Sequence, residues 1–263
     1  MLIILKFKIS ILIGDVNMDK ELIDTINNIY WQYTVGPQIV KKPQDLAVLT
    51  SMCAFGYKSN RGPIGIAKCL FNGEEEVTLV TLGGTQFKEG QATRFRESKL
   101  TMKCKDNDYL TAILDAFSKH VPKDKPVIIS GISLGGMIAQ FLLSKEEIVN
   151  NYNIKSVICF GSPLNKPLDR KGIRIKRFTD KGDIVPKLKT LSYLFIKGSV
   201  KDELNKNERI LENGNYKKTI ESHALSYVQS KVWDKYDFYG ELNGNNTLEL
   251  LEEMKFYEAP VLK

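Results

Sequence analysis

Histidine and cysteine are scarce in this chain, and their scarcity restricts the chemistry it can perform. Among 263 residues there are 2 histidines and 4 cysteines, and no two cysteines have the C-x-x-C spacing that is typical of zinc sites. The sequence therefore predicts no metal site, and it indicates no disulfide framework. This use of cysteine slightly favours a reducing, cytoplasmic compartment and leaves secretion or membrane association open.

Long uninterrupted hydrophobic runs are also lacking. The apolar stretch over residues 1–13 is broken by Lys6, Lys8 and Ser10, so it is too short and too charged for a membrane-spanning helix. Residues 5–11 alternate between apolar and polar side chains, which is typical of a strand. We therefore interpret residues 1–17 either as an edge strand or as a dispensable leader. Because no linker or internal repeat interrupts the chain, residues 1–263 are expected to form one domain.

The basic residues form no concentrated patch. The net charge is +7, but lysine and arginine are spread along the chain, and no basic run alternates with aromatic residues as a nucleic-acid groove requires. We therefore expect no nucleic-acid partner. The excess positive charge serves solubility in this interpretation, and attraction to an anionic lipid surface is the alternative. The oligomeric state is not indicated.

The most informative stretch is residues 126–139, PVIISGISLGGMIA. An apolar, mostly β-branched run is followed by a G-x-S-x-G turn centred on Ser133 and then by an apolar helix. In such a unit the serine stands at the tip of the turn, and the helix N-terminus directs free N–H groups towards the same place. A glycine-rich loop that only packs is the alternative interpretation of this turn.

Strand and helix patterns alternate along the rest of the chain. The patterns predict helices over residues 19–33, 44–55, 108–120, 223–236 and 247–257, a β-hairpin of residues 64–71 and 77–82, strands over 154–160 and 173–179, an edge strand over 191–196 and a polar surface excursion over 197–219. This order predicts an α/β fold, with a mostly parallel central sheet flanked by helices. Ligands bind such sheets at the carboxyl ends of the strands.

Thr85, Ser133, Asp183 and His223 are all expected at strand ends or in the loops that follow them. A serine hydroxyl needs a base within hydrogen-bonding distance to act as a nucleophile, and that base needs an orienting carboxylate. Of the two histidines, His120 ends a helix and is better explained as a cap. His223 follows both Ser133 and Asp183, and the order Ser, Asp, His is that of α/β-hydrolases.

Two further choices complete the predicted site. Asp183 is preferred over Asp180 because the apolar residues 184–186 would hold its loop against the sheet, whereas Asp180 could merely cap the turn. An oxyanion needs two donors, and the backbone N–H of Leu134 is one of them. The second is expected from the loop at Thr85, where two preceding glycines allow close approach of the backbone.

Taken together, these segments resemble the class 3 lipases, the fungal triacylglycerol lipase group within the α/β-hydrolase superfamily. The resemblance rests on five segments: residues 82–85 (LGGT), 131–136 (GISLGG), 160–163 (FGSP), 183–186 (DIVP) and 223–227 (HALSY). It implies the α/β-hydrolase fold, with Ser133 as nucleophile, Asp183 as triad acid, His223 as base, and Thr85 and Leu134 as the oxyanion hole. The sequence departs from the family at Gly83, where arginine is usual, and after Thr85, where the family's Trp-Asp and His-x-Gly-Phe features are missing.

The resemblance implies a serine ester hydrolase that acts on lipid esters through an acyl-enzyme, with no metal or organic cofactor. Its expected partners are a lipid or ester substrate and, transiently, a membrane or lipid-droplet surface. Residues 86–107 would form either a mobile cover over the acyl chain or a solvated loop. A phospholipase or short-chain carboxylesterase is one alternative, and a non-catalytic lipid-binding or interaction protein on the same fold is the other.

Overall fold

The computed structural model describes residues 36–52, 62–85, 87–88, 91–92, 101, 105–165, 172–187, 208–217 and 219–259. The helices are α1 (Pro43–Met52), α2 (Asp108–His120), α3 (Leu134–Leu142), α4 (Glu146–Val149) and α5 (Thr219–Gln229). The strands are β1 (Ile39–Val40), β2 (Ile64–Phe71), β3 (Glu75–Leu82), β4 (Phe87–Lys88), β5 (Gln91–Ala92), β6 (Pro126–Ile132), β7 (Asn153–Phe160), β8 (Arg174–Asp180), β9 (Glu208–Glu212), β10 (Leu248–Leu250) and β11 (Lys255–Tyr257). The predictions for residues 1–17, 19–33 and 191–196, and most of the predicted cover over residues 86–107, lie outside the described residues.

A central sheet of nine described strands organises the fold. Its strand order is β1-β10-β2-β3-β6-β7-β8-β9, and β11 also pairs with β2. Strands β3, β6, β7, β8 and β9 run parallel to one another, whereas β1, β2, β10 and β11 form an antiparallel flank. The predicted α/β class with a mostly parallel central sheet is confirmed.

Helices cover the sheet on both faces, and each face has its own hydrophobic cluster. On one face α1 and α5 pack against the sheet together with Trp233, and on the other face α2 and α3 do so. Strand β6 contributes Ile128 to the first cluster and Val127 and Ile129 to the second. Because β6 is buried on both sides, its sequence is continuously apolar rather than alternating.

Most predicted elements of the central region are confirmed. The hairpin β2–β3 pairs over its whole length, and its turn contains Asn72 and Gly73, both with positive φ. Helix α2 has the predicted limits, and the side chain of Asn107 accepts the backbone N–H of Leu110 at its N-terminus at 3.0 Å. Local signals therefore suffice for these elements.

Two predictions in the C-terminal half are wrong. Residues 247–257 do not form a helix; they contain β10 and β11, which both pair antiparallel with β2. Leu248 is buried and Glu249 is exposed, so the alternation of a half-buried strand and the open edge of β2 prevail over helix propensity. Strand β9, predicted as part of a surface excursion, pairs parallel with β8 at the sheet edge.

The helix that carries His223 also differs from its predicted limits. Helix α5 spans Thr219–Gln229 instead of residues 223–236. Ser230 follows its last residue and caps a short 3-10 helix over Lys231–Trp233, where its hydroxyl oxygen accepts the N–H of Val232. His223 consequently lies in the second turn of a regular helix.

The cysteines in the described part of the chain are core residues. Cys69 and Cys159 are free and fully buried, and burial raises the pKa of each thiol to about 12. Cys53 and Cys104 lie outside the described residues. Within the described ranges no group of three or more His, Cys, Asp or Glu residues could hold a metal ion, and none of the described helices is long and apolar enough to cross a membrane.

The strand assignment of β10 predicts unequal costs for neighbouring substitutions. Leu248→Ala is expected to lower the free energy of unfolding by about 2–5 kcal/mol, because it leaves a cavity beneath the sheet. Glu249→Ala, the matched control on the exposed side, should change it by less than about 0.5 kcal/mol. Urea unfolding followed by circular dichroism measures both values, and equal losses would contradict the strand assignment.

Candidate active site

Ser133 occupies a sharp turn between β6 and α3. Its backbone has φ 54° and ψ −119°, a rare conformation for a residue other than glycine. Its N–H donates to the carbonyl oxygen of Phe160 on β7 at 2.9 Å, and its carbonyl accepts the N–H of Met137 at 3.2 Å. These bonds hold a half-buried serine side chain at the carboxyl end of the sheet.

Glycines make this turn sterically feasible. A Cβ on Gly135 would lie 2.0 Å from the carbonyl oxygen of Leu82, and one on Gly131 would lie 2.5 Å from the carbonyl oxygen of Gly135. The clashing atoms are backbone atoms, so strand and helix pass too close for any side chain at these two positions. A Cβ on Gly84 would lie 2.9 Å from that of Ser133, so the loop after β3 packs directly against the serine.

Asp183 and His223 are in direct contact. Asp183 follows β8 and is fully buried, and its Oδ2 lies 2.8 Å from Nδ1 of His223, whose side chain is 18% exposed. The other carboxylate oxygen accepts the N–H of Val185 at 2.8 Å. The carboxylate is thus held by its own loop on one oxygen and meets the imidazole with the other.

Tyr227 is a second side chain on the Asp183 carboxylate. Its hydroxyl donates to Oδ2 of Asp183 at 2.7 Å and accepts the backbone N–H of Asp180 at 3.0 Å. Burial, together with the charge of Asp183, raises the pKa of the Tyr227 hydroxyl well above its ordinary value, so the group remains a proton donor. Sequence reasoning assigned no role to this tyrosine, although its spacing of four residues from His223 places both on one helix face.

Gly161 connects the serine turn with the Asp183–His223 pair. It directly follows Phe160, which accepts the N–H of Ser133, and it has φ 56°. A Cβ at this position would lie 2.9 Å from Oδ2 of Asp183 and 3.1 Å from Nδ1 of His223. The structure therefore brings Asp183 and His223 into contact. Gly161, the residue directly after β7, lies between that pair and the backbone of Ser133.

Asp180, the last residue of β8, and Asp183, in the loop that follows, have different surroundings. Asp180 is also fully buried, but its carboxylate accepts hydrogen bonds from serine hydroxyls and backbone N–H groups. One of these donors is the N–H of Gly182, two residues later, as expected of a residue that caps the turn. Asp183 is the aspartate that meets His223.

The remaining predicted residues are placed as follows. Leu134 is the first residue of α3 and is buried, and Thr85 follows β3 next to Gly84 and is half-buried. His120 is the last residue of α2, and its ring stacks on that of Tyr257 with centroids 4.1 Å apart. Its described contact is thus with an aromatic ring rather than with a carboxylate.

A buried polar network supports the first turn of α3 and was not found by sequence reasoning. The Gln140 side-chain amide donates to the carbonyl oxygens of Gly136 at 2.9 Å and Pro163 at 3.1 Å, and its oxygen accepts the N–H of Asn165 at 3.0 Å. The guanidinium of Arg177 donates to the carbonyl oxygen of Ser162 at 3.2 Å, and burial lowers its pKa to about 10. The segment after β7 is thereby tied to the helix that follows the serine.

Comparison with known proteins assigns the central part of the chain to a family. A family model described as PGAP1-like alpha/beta domain matches residues 100–238, more than half of the chain. No curated protein and no solved structure matches it. The matched range contains Ser133, Asp183 and His223, and Thr85 lies before it. The match supports the superfamily that the resemblance predicts but gives no support to the class 3 lipases in particular. The chain belongs to the PGAP1-like alpha/beta domain family, within the α/β-hydrolase superfamily.

Proposed function

We propose that this protein is a serine ester hydrolase that acts on lipid esters through Ser133, His223 and Asp183. The observation that carries the proposal is the 2.8 Å contact between Nδ1 of His223 and the buried carboxylate of Asp183. A carboxylate on Nδ1 keeps the proton on that nitrogen, and Nε2 is then available to accept a proton from a serine hydroxyl. The strained backbone of Ser133 at the same end of the sheet supports its role as the nucleophile.

In the proposed reaction, His223 carries every proton. It accepts the Ser133 proton while the serine oxygen attacks the ester carbonyl carbon, and it then donates that proton to the leaving alkoxide. The acyl group remains on Ser133 until a water molecule, deprotonated by His223, attacks the acyl carbon. The bond between that carbon and the Ser133 oxygen then breaks, His223 returns the proton to the serine oxygen, and the carboxylic acid leaves. Asp183 stabilises the imidazolium that forms in both halves of the cycle. This cycle calls for no metal or organic cofactor.

The oxyanion of each tetrahedral intermediate is assigned to backbone donors at Leu134 and Thr85. Leu134 opens α3, and the first N–H groups of a helix have no acceptor within that helix. The contact between Gly84 and Ser133 supports Thr85, because it brings the loop after β3 to the serine. One such donor typically accounts for about 10²–10³-fold in rate.

The choice of a lipid ester rests on the resemblance of five segments to the class 3 lipases, together with the net charge of +7. The motifs favour a triacylglycerol-type ester, and the charge favours contact with an anionic lipid surface. A phospholipid or a short-chain ester would pass through the same chemistry at Ser133, so substrate selection is a separate question from mechanism.

Ser133→Ala tests the mechanism. The substitution is expected to lower kcat for hydrolysis of a p-nitrophenyl ester by about 10⁴–10⁶-fold, because no nucleophile remains. It should also abolish covalent labelling by a fluorophosphonate. Ser118→Ala is the control, because that exposed serine lies on α2 and its described hydrogen bond goes to the backbone oxygen of Asp115. Retained turnover in Ser133→Ala would overturn the mechanism, and a folded wild type that resists labelling would favour a non-catalytic binding protein.

A chain-length series tests the substrate class. With p-nitrophenyl acetate, octanoate and palmitate, kcat/KM is expected to rise from the two-carbon to the longer acyl chains, with Ser133→Ala as the blank. Emulsified triacylglycerol and phospholipid vesicles are then compared by release of fatty acid. A preference for acetate would identify a carboxylesterase, and a preference for the vesicles would identify a phospholipase.

Tyr227→Phe tests whether the Tyr227 hydroxyl stabilises the Asp183 carboxylate. Loss of the hydroxyl removes one donor from Asp183, so the free energy of unfolding is expected to fall by about 1–3 kcal/mol and kcat by about 10-fold at unchanged KM. Tyr152→Phe is the control, because that buried ring packs edge-on against Phe117 on α2. Steady-state kinetics and urea unfolding measure both variants. An unchanged kcat in Tyr227→Phe would contradict a catalytic contribution of the Tyr227 hydroxyl.

A further inference from the structure

Helix α5 presents two pairs of polar side chains to the last residue of β8 and to the loop that follows it. Ser222 and Ser226 form one pair, and His223 and Tyr227 form the other. Members of each pair are four residues apart, so they lie one above the other on the helix. The first pair binds the carboxylate of Asp180, and the second binds that of Asp183.

The Asp180 carboxylate accepts more of the described hydrogen bonds than the Asp183 carboxylate does. One oxygen accepts the Ser222 hydroxyl at 2.8 Å and the Gly182 N–H at 2.6 Å. The other accepts the Ser226 hydroxyl and, at 2.7 Å, the N–H of Gly214. These four donors occupy about the full acceptor capacity of a carboxylate. They come from three segments: the loop after β8, the segment between β9 and α5, and α5 itself.

The contacts of Asp180 differ in kind from those of Asp183. In the proposed reaction His223 gains and loses a proton, so its bond to Asp183 changes character during each turnover. The donors on Asp180 are serine hydroxyls and backbone N–H groups, and none of these titrates over the working pH range of a protein. The Asp180 carboxylate therefore holds α5 in the same way in every protonation state of the imidazole.

The position of α5 determines where His223 lies. A displacement of α5 by one residue would shift it by about 1.5 Å along its axis and rotate it by about 100°, which would carry His223 away from Asp183. The Asp180 bonds oppose that movement, and the Tyr227 hydroxyl couples the two sets because it accepts the Asp180 N–H and donates to Asp183.

We infer that Asp180, with Ser222 and Ser226, is a positioning group that sets the register of α5 and thereby places His223 on Asp183. This inference rests on the proposed function for its catalytic consequence. Its structural consequence, the geometry of the His223–Asp183 bond, can be measured without any substrate.

The Ser222→Ala/Ser226→Ala double variant tests the inference. It removes the helix side of the Asp180 contact and keeps the two backbone donors, and alanine is the best helix former. We expect kcat, per active site titrated with a fluorophosphonate, to fall about 10-fold or more at unchanged KM. We also expect the Nδ1–H proton signal of His223 in NMR spectra to broaden or disappear. The chain has 2 histidines, and His120 is exposed, so a protected ring N–H signal is assigned to His223.

Ser130→Ala is the matched control. Ser130 is fully buried on β6, and its hydroxyl is hydrogen-bonded to that of Thr50 on α1 at 2.6 Å. Its removal costs one buried hydrogen bond, which joins β6 to α1 rather than to α5. The control is expected to lower the Tm and to leave both kcat and the His223 signal as in the wild type.

The outcomes separate this inference from the proposed function. A double variant with wild-type kcat and an unaltered His223 signal would overturn the positioning role, whatever its stability. A wild type that hydrolyses no ester would contradict the proposed function, and the NMR comparison would still decide the register of α5. If the double variant does not fold, Ser226→Ala alone is measured in the same way, and an unaltered His223 signal in it would equally overturn the role.

Discussion

The hydrogen bond between His223 and the buried carboxylate of Asp183 is the interaction on which the candidate site depends. It joins two residues 40 positions apart, one on α5 and one in the loop after β8. A buried carboxylate is costly unless donors surround it, and here the N–H of Val185 and the hydroxyl of Tyr227 supply them. Because β6, β7 and β8 are neighbours in a parallel sheet, the serine turn ends at the same edge.

The backbone of Ser133 is strained, and contacts with its surroundings compensate for that strain. The positive φ of Ser133 costs about 1–3 kcal/mol, and a conformation of that kind persists only where its surroundings determine it. The hydrogen bond to Phe160 and the backbone contacts of Gly135 do so from the strand side. Gln140 does so from the helix side, through its bonds to the segment after β7. The backbone of Ser133 is thus held by residues that lie far from it in the sequence.

The parts of the fold that follow from neighbouring residues were predictable, and the parts that depend on distant ones were not. The apolar run of β6, the glycines around Ser133 and the limits of α2 are local signals. The structure of residues 248–257 could not be predicted locally, because these residues pair with the outer edge of β2, about 180 to 190 residues earlier. The same holds for Tyr227 and Asp180. Their partners are decided by the register of α5, which no periodicity reveals. The catalytic assignment of Ser133, Asp183 and His223 remains a prediction that the geometry supports.

The pairing of β10 and β11 with β2 has a consequence for how the chain folds as it is made. Strand β2 leaves the ribosome early, yet the strands that cover its outer edge are synthesised only after the whole parallel half of the sheet. An uncovered strand edge is a template for pairing with other chains, and contacts of such long sequence separation form slowly. Until β10 and β11 pair with it, the outer edge of β2 is therefore open to pairing with other chains.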